Sequence, residues 1–173
     1  MMKKERDDSS AKRKARMRAV EWIPEGEPKA VLHIFQSRET AESCQEELAE
    51  YFKEHGFAVI DSCCPDIMEV SQMEEAIGTC FHNVKRKYPD VPYLLLGLSK
   101  GAAPVHAFVT AYPEAVEGIV YADTRHNTQI SVDNIPTLNV TGLKDKKKET
   151  FQRIYHWTEE RLDEMLYHAA MKQ

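Results

Sequence analysis

The feature that most constrains the fold is an apolar segment that runs directly into a glycine-flanked serine and then into a helix. Residues 93–96 (Tyr-Leu-Leu-Leu) form a short apolar run typical of a buried strand. Gly97-Leu98-Ser99-Lys100-Gly101 follows, and a helical pattern begins at Ala102. Glycines on both sides permit a sharp turn, and a strand before and a helix after are the context in which Gly-x-Ser-x-Gly holds its serine above a sheet. The motif predicts a strand, a tight turn and a helix, with Ser99 at the turn.

The rest of the chain alternates short apolar runs with amphipathic helical patterns. Further strands are predicted at residues 17–22, 30–35, 57–60, 118–121 and 137–140, and helices at residues 40–55, 71–88, 102–112 and 149–171. Gly56 is well placed to cap the first helix. Because parallel strands need helical crossovers, this alternation predicts an α/β fold, a three-layer α/β/α sandwich with a mostly parallel sheet.

Length and composition fit one domain with a tail. The chain has 173 residues, of which 42% are apolar, which is enough for one buried core. Residues 1–14 are dominated by charged residues and serine, so they have too little apolar surface to offset the entropy of ordering. We expect residues 1–14 to be a flexible tail and residues 15–173 to be a single domain.

The net charge and the spacing of the cysteines exclude some classes of function. A net charge of -5 does not suit a protein that coats nucleic acid or an anionic membrane. No stretch approaches the roughly 18 apolar residues of a membrane span, and the N-terminus has charges where a signal peptide needs apolar residues. The four cysteines lack paired Cys-x-x-Cys spacing. We therefore expect a cytoplasmic protein with no cofactor, no metal and no nucleic-acid partner.

A serine hydroxyl needs a base and an orienting acid to act as a nucleophile. In the chain order serine, acid, histidine, the acid candidates are Asp145, after the strand at residues 137–140, and Asp123, after the preceding strand. Either carboxylate could equally belong to a solvated loop. His126 lies just beyond Asp123, at the end of the sheet where Ser99 is expected, and is the best-placed base. The backbone N–H of Lys100 would supply half of an oxyanion hole.

These segments resemble the lysophospholipase and monoacylglycerol lipase branch of the α/β-hydrolases, a branch also called serine aminopeptidase-like. The matching stretches are residues 19–26, 29–35, 48–60, 91–101 and 135–145. The resemblance implies a minimal α/β-hydrolase fold with Ser99 as nucleophile, Asp145 as acid, and backbone amides of Lys100 and Arg38 as the oxyanion hole. It also implies a small serine hydrolase, an esterase or lysophospholipase, acting on an acyl-ester or lipid-like substrate.

Two loops of this chain depart from the family pattern. Gln36-Ser37 stands where the family has a His-Gly pair that shapes the oxyanion loop. The segment after the strand ending at Ile60 reads Ser62-Cys63-Cys64-Pro65-Asp66, where the family has a second glycine-rich loop. These positions are therefore expected to form loops of a different composition.

The chain also resembles a truncated, lidless form of the family. Only about a dozen residues separate Asp123 from Ile135, where the family has a lid, and Asp145 runs almost directly into the last helix, where a final strand would carry the catalytic histidine. An alternative function therefore stays open, a hydrolase-like binding or regulatory protein without the usual histidine and lid. The open sheet edge near Thr137 makes a homodimer plausible.

Overall fold

The structure, a computed structural model, describes residues 17–37, 44–65, 68–124 and 134–172. The predicted tail at residues 1–14, Arg38 and His126 lie outside the described residues. The strands are β1 (Arg18–Trp22), β2 (Ala30–Ser37), β3 (Phe57–Cys64), β4 (Tyr93–Leu98), β5 (Gly118–Ala122) and β6 (Thr137–Val140). The helices are α1 (Cys44–Glu54), α2 (Val70–Lys87), α3 (Ala102–Ala111) and α4 (Lys147–Met171), with 3₁₀ turns at Ser99–Gly101 and Pro113–Ala115.

The six described strands form one sheet in the order β1-β3-β2-β4-β5-β6. Strand β1 is antiparallel to β3, and every other neighbouring pair is parallel. Although β1 and β2 are consecutive in the chain, β3 lies between them in the sheet. The predicted mostly parallel α/β sheet is confirmed.

Helices cover both faces of the sheet and bury a separate core on each. Leu48 and Phe52 of α1 and Ile154 of α4 pack on one face. Ile77 of α2 and Phe108 of α3 pack on the other. Because the central parallel strands are covered on both sides, β4 is buried along its whole length. This arrangement confirms the three-layer sandwich.

Two strands run further than their apolar segments predict. The predicted loop after Ile60 is wrong for Ser62 to Cys64, because β3 continues to Cys64. Ser62 pairs with residues of both neighbouring strands, Ala19 of β1 and Phe35 of β2. Strand β2 likewise continues beyond Phe35 to Ser37. Polar residues therefore extend these strands toward the carboxyl edge of the sheet.

The helix ends follow the turn chemistry of the sequence. Gly56 ends α1 with φ +88°, and its N–H donates to the carbonyl of Lys53. In the described residues, no helix is long and apolar enough to cross a membrane. These residues also contain no group of three His, Cys, Asp or Glu side chains that could hold a metal. No disulfide joins the four cysteines.

Candidate active site

Ser99 stands on a strained turn at the carboxyl end of β4. Leu98 ends the strand, Ser99–Gly101 forms a single 3₁₀ turn, and α3 begins at Ala102. Ser99 is half-buried and has a φ of +53°, in the left-handed region. A non-glycine residue with positive φ is uncommon and costs on the order of 1–3 kcal/mol. The backbone therefore holds Ser99 in a strained, left-handed conformation between β4 and α3.

Gly101 is required because the turn touches the backbone of β2, whereas Gly97 lies in tight surroundings within β4. A Cβ on Gly101 would lie 1.8 Å from the carbonyl oxygen of Phe35 and 3.1 Å from the backbone nitrogen of Gln36. A Cβ on Gly97 would lie 3.2 Å from the Cα of Ala102. The turn that carries Ser99 is thus pressed against the end of β2, and Gly101 has no room for a side chain.

Asp123 occupies the position next to Ser99 on the neighbouring strand. Leu98 of β4 lies opposite Ala122 of β5, so Ser99 and Asp123 are the next residues at the same edge of the sheet. Asp123 also has a left-handed φ, +50°. Its carboxylate accepts hydrogen bonds from the backbone N–H groups of Gly142, at 2.9 Å, and Leu143, at 3.2 Å. Asp123 thereby ties the end of β5 to the turn after β6.

Asp145, the acid that the resemblance implies, lies on the turn before α4. Its side chain is exposed. Within the described residues, no hydrogen bond or ion pair to its carboxylate is found, in contrast to Asp123. The structure therefore places Asp123 at the end of β5, the strand paired with β4, and leaves Asp145 on the surface.

The described histidines have other surroundings. His33 is fully buried within β2, with Nδ1 hydrogen-bonded to the hydroxyl of Tyr93 and Nε2 2.7 Å from Oγ of Ser62. Burial lowers the pKa of His33 to about 3, so its imidazole is neutral. Five more lie on or after helices, namely His55, His82, His106, His156 and His168. None of these six is hydrogen-bonded to Ser99, Asp123 or Asp145, and His126 is outside the described residues.

A buried polar pair, not predicted from the sequence, lies near the Ser99–Gly101 turn. Gln36 of β2 and Asp61 of β3 are 3% and 6% exposed. Nε2 of Gln36 donates to both carboxylate oxygens of Asp61, at 2.9 and 2.7 Å. Burial raises the pKa of Asp61 to about 6, although the hydrogen bond from Gln36 lowers it in part. An aspartate inside the run Phe-Ala-Val-Ile-Asp is the signal that could have revealed this pair.

No protein-family model and no curated protein matches the chain. Among solved structures, a predicted CIB-like hydrolase from Thermoplasma acidophilum matches with a TM-score of 0.57 and 11% identity, over 83% of this chain and 93% of that one. A lidless α/β serine hydrolase from Xanthomonas campestris matches with a TM-score of 0.54 and 15% identity, over 83% and 73%.

A thermostable carboxyl esterase from Bacillus coagulans matches with a TM-score of 0.53 and 18% identity, over 61% of this chain. The chain spans 39% of the length of that esterase. The sheet order, the strained turn at Ser99 and these neighbours together show that the chain has the α/β-hydrolase fold.

Proposed function

We propose that the chain is a small serine hydrolase that cleaves acyl esters through an acyl-enzyme on Ser99. The observation that carries this proposal is the left-handed backbone of Ser99, φ +53°, on a turn whose Gly101 has no room for a Cβ. Backbone strain of this kind persists only where the surroundings impose it, and it is concentrated at active sites. The esterase and the lidless serine hydrolase among the structural neighbours support the same reaction class.

The reaction would run in two halves. Oγ of Ser99 attacks the acyl carbonyl carbon, and the imidazole of His126 takes the hydroxyl proton. The backbone N–H groups of Lys100 and Arg38 stabilise the oxyanion. The tetrahedral intermediate then expels the alcohol, which receives the proton from the imidazolium and leaves the acyl group on Ser99. Water attacks this ester with the same base and releases the acid, which restores the hydroxyl.

Two carboxylates compete for the orienting role. Asp145 is the position that the family resemblance implies, and Asp123 is the position beside Ser99. The two backbone N–H groups on Asp123 do not fill its acceptor capacity, because a carboxylate has about four lone-pair sites. It could therefore also accept a hydrogen bond from an imidazole N–H.

The proposed substrate is a small acyl ester or a lipid-like ester. One structural neighbour is a monoglyceride lipase from Saccharomyces cerevisiae in complex with a substrate analogue, matched with a TM-score of 0.50 and 10% identity. A cytoplasmic location, a single domain after a flexible tail, and a homodimer through the edge of β6 belong to the same proposal.

Ester hydrolysis tests the nucleophile. The purified full chain would be assayed with p-nitrophenyl acetate, butyrate and octanoate, alongside Ser99→Ala and the control Ser71→Ala, an exposed serine on α2. We expect Ser99→Ala to lose at least about 10³-fold in kcat, since the elbow hydroxyl forms the covalent intermediate, and Ser71→Ala to match wild type. Equal activity of Ser99→Ala and wild type would overturn the proposed function.

The same assay assigns the base and the acid. His126→Ala should lose activity to a similar extent, because a hydroxyl without a base is a weak nucleophile. Asp123→Asn and Asp145→Asn would be compared, and the orienting acid is the one whose replacement lowers kcat more. Full activity of His126→Ala would show that another group accepts the proton.

The alternative function is a binding or regulatory protein with a hydrolase fold. It is favoured by one observation, that no histidine of the described residues is hydrogen-bonded to Ser99 or to either carboxylate. This alternative predicts a folded wild-type protein without esterase activity, and it predicts that Ser99→Ala binds any ligand as wild type does.

A further inference from the structure

The Gln36–Asp61 pair is buried at the carboxyl ends of β2 and β3. Alternation along the strands puts both side chains on the face covered by α1, because Leu32 and Ile34 of β2 and Val59 of β3 pack on that face. Nε2 of Gln36 reaches both oxygens of Asp61. A single N–H₂ group that bridges both oxygens is the arrangement suited to an ionised carboxylate.

Within the part of the chain that the structure describes, one atom of this pair lacks a partner. Oε1 of Gln36 is buried and, within the described residues, has no hydrogen-bond donor. A buried acceptor without a donor is energetically unfavourable. Protonation of Asp61 would supply a donor, because a carboxylic acid and an amide can form a cyclic pair. In that pair the acid O–H donates to Oε1, and Nε2–H donates to the other oxygen of Asp61. The two protonation states therefore favour two orientations of the Gln36 amide.

The backbone of Gln36 is part of the wall that supports the elbow. Its nitrogen would lie 3.1 Å from a Cβ placed on Gly101, and the carbonyl oxygen of Phe35 would lie closer still. A change in the orientation of Gln36 would therefore act on the strand end against which the Ser99–Gly101 turn packs.

We propose that the Gln36–Asp61 pair is a proton-linked positioning device for Ser99 chemistry, in which the ionised pair holds the reactive arrangement of the β2 end and the protonated pair does not. This inference rests on the proposed hydrolase function. Gln36 and Asp61 are positioning residues, since they act through the backbone of β2 and not through contact with substrate.

The surroundings of Asp61 support a protonation change near neutral pH. Burial raises the pKa of Asp61 to about 6, Gln36 of β2 lowers it, and Glu46 of α1 raises it. On β1, Val20 lies opposite Asp61, and Arg18 is two residues along that strand. Since the folded-state pKa is above the ordinary value, ionisation is disfavoured by folding. The contribution of Asp61 to the free energy of unfolding is therefore greatest at low pH and is lost as the pH rises through about 6.

Nuclear magnetic resonance tests the pair without any need for activity. The full chain would be labelled with ¹³C in the Asp carboxyls and ¹⁵N in the Gln side-chain amides and titrated from pH 4 to pH 8. We expect one Asp carboxyl to titrate near pH 6, to be missing in Asp61→Asn, and to be retained in the control Asp90→Asn, an exposed aspartate after α2. The side-chain amide of Gln36 should shift with the same midpoint. An Asp61 carboxyl that titrates near pH 4, or a Gln36 amide that does not follow it, would overturn the inference.

Kinetics test the link to Ser99. Asp61→Asn mimics the protonated pair, because asparagine can donate to Oε1 and accept from Nε2 of Gln36. At pH 8 we expect this variant to react with a fluorophosphonate probe at least five-fold more slowly than wild type and to show a lower kcat for esters with nearly unchanged KM. Its rate profile should also lack the titration that the carboxyl of Asp61 shows.

The two arms separate the possible failures. If folded Asp61→Asn, checked by thermal unfolding, reacts as fast as wild type with the same pH profile, the positioning role is wrong. If wild type reacts with neither probe nor ester at any pH, the hydrolase function is wrong, and the coupling to Ser99 is wrong with it. The NMR titration still decides in that case whether Gln36 and Asp61 change together.

Discussion

At the scale of single residues, Ser99 is one of three described non-glycine residues with a left-handed backbone, and unlike Asp123 and Asn134 it is not of a type that commonly adopts this conformation. Serine gains nothing from φ +53°, and a glycine there would avoid the Cβ penalty. Two residues later, Gly101 lies so close to the backbone of Phe35 that no residue with a Cβ fits. A side chain is therefore present at the strained position, Ser99, and absent at the crowded position, Gly101. This is expected if the hydroxyl of Ser99 has a function.

Ser99→Gly is expected to be more stable than Ser99→Ala by about 1 kcal/mol, because glycine relieves the left-handed strain and alanine does not. Urea unfolding of both variants measures this difference. Gly26→Ala provides the matched reverse change, since Gly26 has φ +80° and open space around its Cα. It should lose about 1 kcal/mol. A Ser99→Gly variant less stable than Ser99→Ala would show that the turn is not strained.

At the scale of elements, periodicity predicted every described strand and helix, and it failed at the strand ends. The apolar runs stop at Phe35 and Ile60, but β2 and β3 continue through polar residues to Ser37 and Cys64. These polar strand ends pair with each other, Gln36 with Cys63 and Ser37 with Cys64. An apolar run alone does not indicate such neighbours. The aspartate that follows residues 57–60 is a local signal of a buried polar group, but no local pattern identifies Gln36 as its partner.

Of the candidate site, the position of Ser99 could be predicted from the sequence, but the contacts of Asp123 could not. Ser99 follows from the glycine spacing, which is local. The contacts of Asp123 depend on backbone N–H groups about twenty residues later, at Gly142 and Leu143, and no local pattern encodes them. The sequence therefore indicates both acid candidates, but it does not indicate that Asp123 is the one hydrogen-bonded at the end of the sheet.

Asp123→Asn is expected to destabilise the fold by about 2 kcal/mol, because the substitution removes charge from two hydrogen bonds that anchor the turn after β6. Asp145→Asn, on an exposed turn, should change the free energy of unfolding by less than about 0.5 kcal/mol. Urea unfolding of both variants checks the difference. Equal effects would mean that the bonds from Gly142 and Leu143 contribute nothing to stability.

At the scale of the whole molecule, the sheet order brings the ends of β2, β4 and β5 to one edge. Gln36, Ser99 and Asp123 are distant in the chain and become neighbours in strand order there. Ligands of α/β folds bind outside the carboxyl ends of parallel strands, so this edge is where a substrate would be expected. Two of the structural matches, to proteins called hydrolases, each cover 83% of the chain.

The most direct test is covalent labelling of the purified full chain with a fluorophosphonate, read by intact mass and peptide mapping on wild type and Ser99→Ala. If the fold activates the elbow serine, wild type gains one adduct, the adduct maps to Ser99, and Ser99→Ala gains none. A folded wild-type protein that stays unlabelled, or an adduct that persists in Ser99→Ala, would contradict the claim that Ser99 is the activated nucleophile of this chain.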